Sequence, residues 1–205
     1  MKKKTFVLVG IIVGVLLFDQ LLKVWVKTHM VLGESISILG DWFLIRFIEN
    51  EGMAFGFSFG GEFGKILLSL FRVALVTLIV MYLYRLLKTQ TPMGVMIGLV
   101  LIMAGAVGNI IDSLFYGLIF NDPVGEVARM FPPEGGYAGF LYGRVVDMLH
   151  FPIIDTPWPS WFPFIGNKNF EFFRPVFNIA DSSISIGVIY LLLFQRKFFT
   201  KPQKG

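Results

Sequence analysis

The sequence predicts a membrane α-helical protein: four transmembrane helices in one domain covering 1–205, carrying a small extracytoplasmic β-sheet and a long outer loop. Three observations predict it. The chain is 55% hydrophobic and only 16% charged, with a mean hydropathy of +0.71, too apolar for an ordinary soluble domain. Four stretches, roughly 6–27, 65–87, 93–115 and 176–195, have the length and composition of a helix that crosses a bilayer core, which takes about 20 mostly apolar residues. Lys and Arg crowd the N-terminal tail (Lys2, Lys3, Lys4), the short second connection (Arg85, Lys88) and the C-terminal tail (Arg196, Lys197, Lys201, Lys204). By the positive-inside rule both termini are cytoplasmic and both long connections lie outside.

The first stretch begins "MKKKTFVLVGIIVGVLLFDQ", a basic segment followed by an apolar one, as in a secretory signal. No small-x-small cleavage site follows and the apolar run resumes after Gln20, so it reads as a retained helix. The first outer connection alternates polar and apolar residues across 34–62, rich in β-branched and aromatic side chains and bounded by Gly, and predicts two or three short strands. The second, 116–175, is rich in Pro, Gly, Trp and Phe and far longer than a plain connection requires. With no cysteine, the chain has no disulfide and no thiolate chemistry. The net charge of +4 lies at the membrane ends and forms no aromatic-interleaved basic patch, which argues against a nucleic-acid partner.

Charged groups inside a membrane helix need a partner or a job. Asp19 precedes Lys23 by four residues on one helix face, the order that favours an ion pair. Mutual neutralisation and support of a neighbouring active site are both consistent with that spacing. On the third helix Gly105, Asn109, Asp112 and Tyr116 fall on one face, and on the fourth Asn178, Asp181, Ser182 and Ser185 do the same. Such stripes also join helices without any chemistry. Depth favours chemistry: Asp112 and Asp181 both fall at the outer interface, and Asp147, in the short apolar segment "GRVVDMLHF", can reach the same rim. Two carboxylates close together do not readily both ionise, so one keeps a proton while the other takes one from water, as in aspartic proteases. That chemistry uses neither metal nor cofactor. His29 and His150 are the only histidines and form no H-E-x-x-H pair, and "GFSFG" around Ser58 lacks the strand-turn-helix setting of a serine nucleophile.

The blocks "DQLLK" (Asp19, Lys23), "NEGMAFGF" (Asn50, Gly52, Ala54, Phe55, Gly56), "GNIID" (Gly108, Asn109, Asp112), "GRVVDMLHF" and "FNIADSSISIG" together resemble the lipoprotein signal peptidases, signal peptidase II, four-helix membrane aspartyl proteases of bacteria. The resemblance covers nearly the whole chain. It implies that Asp147 and Asp181 are the catalytic pair, and that Asp19, Lys23, Asn50, Gly52, Asn109, Asp112, Asn178 and Ala180 bind substrate or support the site. It further implies no cofactor, a monomer among membrane lipids in the bacterial cytoplasmic membrane, and a prolipoprotein substrate cut on the amino side of its diacylglyceryl-cysteine. Two departures stand out. Family members commonly carry Arg after the Asp of the third-helix block, where this chain has Ser113, and segments 117–143 and 152–175 are longer than expected. Arg144, three residues before Asp147, is a candidate replacement if that segment is helical, with Arg129, Lys168 and Arg174 next. A small proton-coupled transporter is the alternative from a different class, and an inactive scaffold the third.

Overall fold

A computed structural model describes residues 2–50, 61–152, 154–157, 159–163, 169–172 and 175–200. Its elements are α1 (Lys2–His29), β1 (Ser35–Leu39), β2 (Phe43–Asn50), α2 (Gly61–Leu87), α3 (Met93–Ile111), a π-helical turn (Asp112–Tyr116), α4 (Gly117–Ile119), β3 (Val145–His150), β4 (Ile154–Pro157), β5 (Asn169–Phe172), β6 (Val176–Phe177), α5 (Ile179–Phe194) and α6 (Arg196–Thr200). Among the described residues three helical runs are long and apolar enough to cross a membrane: Lys2–His29, Ile66–Leu87 and Met93–Ile119, the last formed by α3, the π turn and α4. The expected fourth span at 176–195 is shorter than the sequence suggests. Val176 and Phe177 pair as a strand and Asn178 caps the helix, leaving α5 with 16 residues, about 24 Å of helix at 1.5 Å per residue.

Helices α3 and α5 approach most closely, and small residues allow it. A Cβ at Gly105 would run into the backbone carbonyl of Ala180, and one at Gly108 would stand 2.8 Å from an Asp19 carboxylate oxygen. Ala180 itself is fully buried. Ser183 Oγ donates to the Leu101 carbonyl at 2.8 Å across the same seam. Ser185, expected on the polar stripe of this helix, is exposed, because the face that packs is centred on Ala180, Ser183 and Gly187.

The sheet expected within 34–62 has two strands there, with α2 already begun at Gly61. Residues 51–60, which include Gly52 and the Ser58 motif, lie outside the described residues. The chain completes the sheet from further on, in the order β1-β2-β3-β6, with antiparallel neighbours. Strand β3 is buried at all six positions, so "GRVVDMLHF" is a central strand rather than a segment lying along the membrane surface. A strand reverses its side chains at every residue, so the helical spacing assumed between Arg144 and Asp147 does not hold. Strands β4 and β5 form a separate antiparallel pair within the long connection 116–175.

Two apolar clusters flank a polar level. One, at the sheet end, gathers Val26, Met30, Phe47, Tyr116, Phe120, Val146 and Met148. The other, at the α2–α3 turn, gathers Leu8, Leu83, Leu86, Val95, Val100 and Leu191. Helix α1, and α3 with the π turn that continues it, each run from one cluster to the other, and between them carry Asp19, Lys23, Asn109 and Asp112.

Candidate active site

Lys23 is the hub of that level. Its Nζ is 2.9 Å from Asp19, 2.8 Å from Asp112 and 2.9 Å from Asn109 Oδ1, and none of the three charged side chains is exposed. An ammonium has three protons to donate, and all three find acceptors. The remaining carboxylate oxygens are used as well: Asp19 Oδ1 accepts from the Ala180 backbone N–H at 2.9 Å, and Asp112 Oδ1 from Gln20 Nε2 at 2.9 Å. The Val146 N–H donates to Asp112 Oδ2 at 3.3 Å, tying the hub to β3. The π turn opens at Asp112, and Ser113 folds back to donate to the Asn109 carbonyl at 3.1 Å. Turns of this kind recur at functional sites. The Asp19–Lys23 ion pair expected from the four-residue spacing is thus formed, and Asp112 shares its cation.

Beside this hub is the second pair of acids. Asp147 comes from β3, and Asp181 from the first turn of α5. Asn178 donates from Nδ2 to Asp147 Oδ1 at 2.7 Å, while its Oδ1 accepts the Asp181 backbone N–H at 2.8 Å as the helix cap. Asn109 Nδ2 donates to Asp181 Oδ1 at 2.7 Å, with its own oxygen held by Lys23. Asn50 Nδ2 reaches Asp147 Oδ2 at a long 3.4 Å. Two asparagines thus fix two carboxylates from different elements in one site, and one of them is fixed in turn by the Lys23 hub. Burial, and then the charge of Asp181, push the Asp147 carboxyl up to about 7.

Of the residues expected from the sequence, Asp19, Lys23, Asn50, Asn109, Asp112, Asp147, Asn178, Ala180 and Asp181 all meet here. Gly52, Lys168 and Arg174 lie outside the described residues. Arg144 is engaged elsewhere: its Nη1 is 3.1 Å from both Glu49 and Asp122, and the guanidinium lies over the Tyr137 ring. Arg129 forms an exposed ion pair with Glu134. Sequence reasoning overlooked Gln20, which donates to Asp112 and accepts from the Tyr116 hydroxyl at 3.2 Å. It also overlooked Arg72, a cation in the middle of an apolar run, which was signal enough to single it out. Among the described residues no cluster of His, Asp and Glu is arranged to hold a metal ion.

The family model for signal peptidase (SPase) II matches residues 11–197. The chain belongs to the signal peptidase II family. Membership makes it a peptidase and decides against the transporter and scaffold alternatives. Among curated signal peptidase II relatives, the lipoprotein signal peptidase of Porphyromonas gingivalis is 49% identical over 188 residues, 91% of this chain and 81% of that one. The lipoprotein signal peptidase of Amoebophilus asiaticus is 35% identical over 205 residues, 98% of this chain and 83% of that one. Two solved bacterial membrane enzyme structures share the fold. One, determined in meso at 2.3 Å, has a TM-score of 0.60 at 24% identity and covers 97% of this chain and 93% of its own. The other, at 1.9 Å, has a TM-score of 0.58 at 25% identity and covers 93% of each.

Proposed function

We propose that this signal peptidase II removes the signal peptide from diacylglyceryl-modified prolipoproteins, cutting on the amino side of the lipidated cysteine with Asp147 and Asp181 as its catalytic pair. The proton shared by the pair resides on Asp147, whose carboxyl is pushed up to about 7. Asp181 takes a proton from water, the resulting hydroxide attacks the scissile carbonyl, and Asp147 donates its proton toward the carbonyl oxygen. On collapse the C–N bond breaks, the proton gained by Asp181 passes to the leaving amine, and one hydroxyl of the tetrahedral intermediate returns its proton to Asp147. The observation that carries this reading is the pair of asparagine bridges, Asn178 to Asp147 and Asn109 to Asp181, which hold two acids from different elements in one site.

In this reading α5 is the fourth span, both termini are cytoplasmic, the sheet lies on the outer face of the bacterial cytoplasmic membrane, and the enzyme works as a monomer among membrane lipids. Asp181 then stands at the depth where an embedded signal peptide emerges. The test is cleavage of a purified diacylglyceryl-modified prolipoprotein, with products identified by mass. Wild type yields a fragment beginning at the lipidated cysteine, and Asp147→Asn and Asp181→Asn yield none; turnover of either variant within about tenfold of wild type is too fast for a lost proton-transfer group and rejects the assignment. Because the chain has no cysteine, a single cysteine at position 125 reports orientation: labelling from the outer face supports the topology, and labelling only from the inner face reverses it.

A further inference from the structure

Arg72 sits in the middle of α2, within the apolar run Ile66–Leu87. It shares a helix face with Ser69, Val76, Ile79, Leu83 and Leu86, at spacings of three and four residues. That face is the one turned toward α3: Ser69, Leu83 and Leu86 are buried, and Val76 and Ile79 pack into the cluster built on Val95, Val100 and Met103. Helices α2 and α3 form an antiparallel hairpin, and Arg72 lies about as many residues back from its turn as Asn109 lies beyond it. The two residues therefore stand at the same level. The guanidinium is within Coulombic reach of Asp181, Asp112 and Asp147. Among the described residues, however, it forms no ion pair. A cation in a membrane helix that is attracted to three acids yet closes on none of them is held ready for something else.

We propose that Arg72 is a substrate-binding residue, its guanidinium fork taking peptide or ester carbonyl oxygens of the lipid-modified substrate as they pass between α2 and Asp181. A neutral carbonyl fits better than a phosphate, which would add negative charge beside carboxylates already crowded on that rim. The planar fork suits paired carbonyl oxygens in a way that a point charge does not. Ser113, next to Asp112, supplies no charge there, and Arg144 is held by Glu49 and Asp122. Position 72 is thus the cation that α2 contributes to the site.

This inference rests on the proposed peptidase reading, and one experiment separates the two. Kinetics of the purified full-length chain in micelles on a diacylglyceryl-modified prolipoprotein are compared for wild type, Arg72→Ala, Arg72→Gln and Arg72→Lys, with thermal stability measured in parallel. Failure of the wild type to cleave rejects the reading itself. With wild type active, Arg72→Ala raises KM about tenfold or more, the worth of one hydrogen bond to a charged group, with kcat and Tm little changed. Arg72→Lys keeps the charge and recovers only a minor part of the loss. An unchanged KM in Arg72→Ala, or a loss confined to kcat, overturns the inference, as does full recovery with Lys. If Arg72→Ala does not fold, Arg72→Gln is read in its place by the same criteria.

Discussion

Two pairs of acids lie within one hydrogen-bonded network and live under different rules. Asp19 and Asp112 share a buried ammonium, Lys23, whose three donors are all engaged. Asp147 and Asp181 are held by neutral amide groups, from Asn178 and Asn109, and among the described residues by no ion pair. The acids closed on Lys23 are tied into an ion-paired hub. The acids held by neutral amides are held without a cation, as the proposed proton transfer requires. Asn109 joins the two, its oxygen accepting from Lys23 and its nitrogen donating to Asp181, a member of the pair proposed to react.

That contrast can be broken from either side. The largest effect on chemistry is expected from Asp147→Asn and Asp181→Asn, each losing about a thousandfold or more in kcat, within the range for a positioned acid or base, while both variants stay folded. Lys23→Met should do the opposite. It strands Asp19 and Asp112 without their cation, at a cost of about 3–5 kcal/mol, and thermal unfolding in detergent should show the loss before any kinetic assay does. A variant of Lys23 with wild-type stability would erase the distinction between the pairs.

Asn178→Ala sharpens the comparison at intermediate size. Losing the α5 cap costs about 1 kcal/mol. Removing its donor from Asp147 also raises that carboxyl further, since the Asn178 hydrogen bond acts to lower it. The alkaline limb of the cleavage profile, expected near the value of about 7 for Asp147, should therefore move to higher pH. In wild type the same raised value has a consequence for stability. Between the ordinary carboxylate value of 3.8 and about 7 the folded chain holds a proton that the unfolded chain has released, so stability falls as pH rises through that window. Asp147→Asn should flatten this slope in a pH series of unfolding temperatures.

The smallest effect is expected from Arg144→Ala. Its guanidinium is partly exposed and joins Glu49 to Asp122, while Glu49 keeps Lys27, a buried ammonium ringed by Phe47, Phe120 and Tyr137. A loss of under about 1 kcal/mol, as for exposed pairs, with KM unchanged, would separate Arg144 from Arg72.

The sequence by itself determined the class of protein, three of the long apolar helices, the Asp19–Lys23 pair and the identity of the two acids proposed to react. Those features are local: hydropathy over a window, a four-residue spacing on one face, a short block of residues in order. Only the tertiary structure decided that "GRVVDMLHF" is a buried central strand, because its partners, β2 and β6, come from either side of it in the chain, with α2 and α3 between β2 and β3. It also decided the start of α5, since the pairing of Val176 with His150 takes residues that apolar character alone assigns to the helix. The assignment of the cations was likewise invisible in one dimension. Lys23, Arg72 and Arg144 carry the same charge in the sequence, and which is locked between Asp19 and Asp112, which closes on none of the site acids and which joins Glu49 to Asp122 depends on acceptors delivered by distant elements.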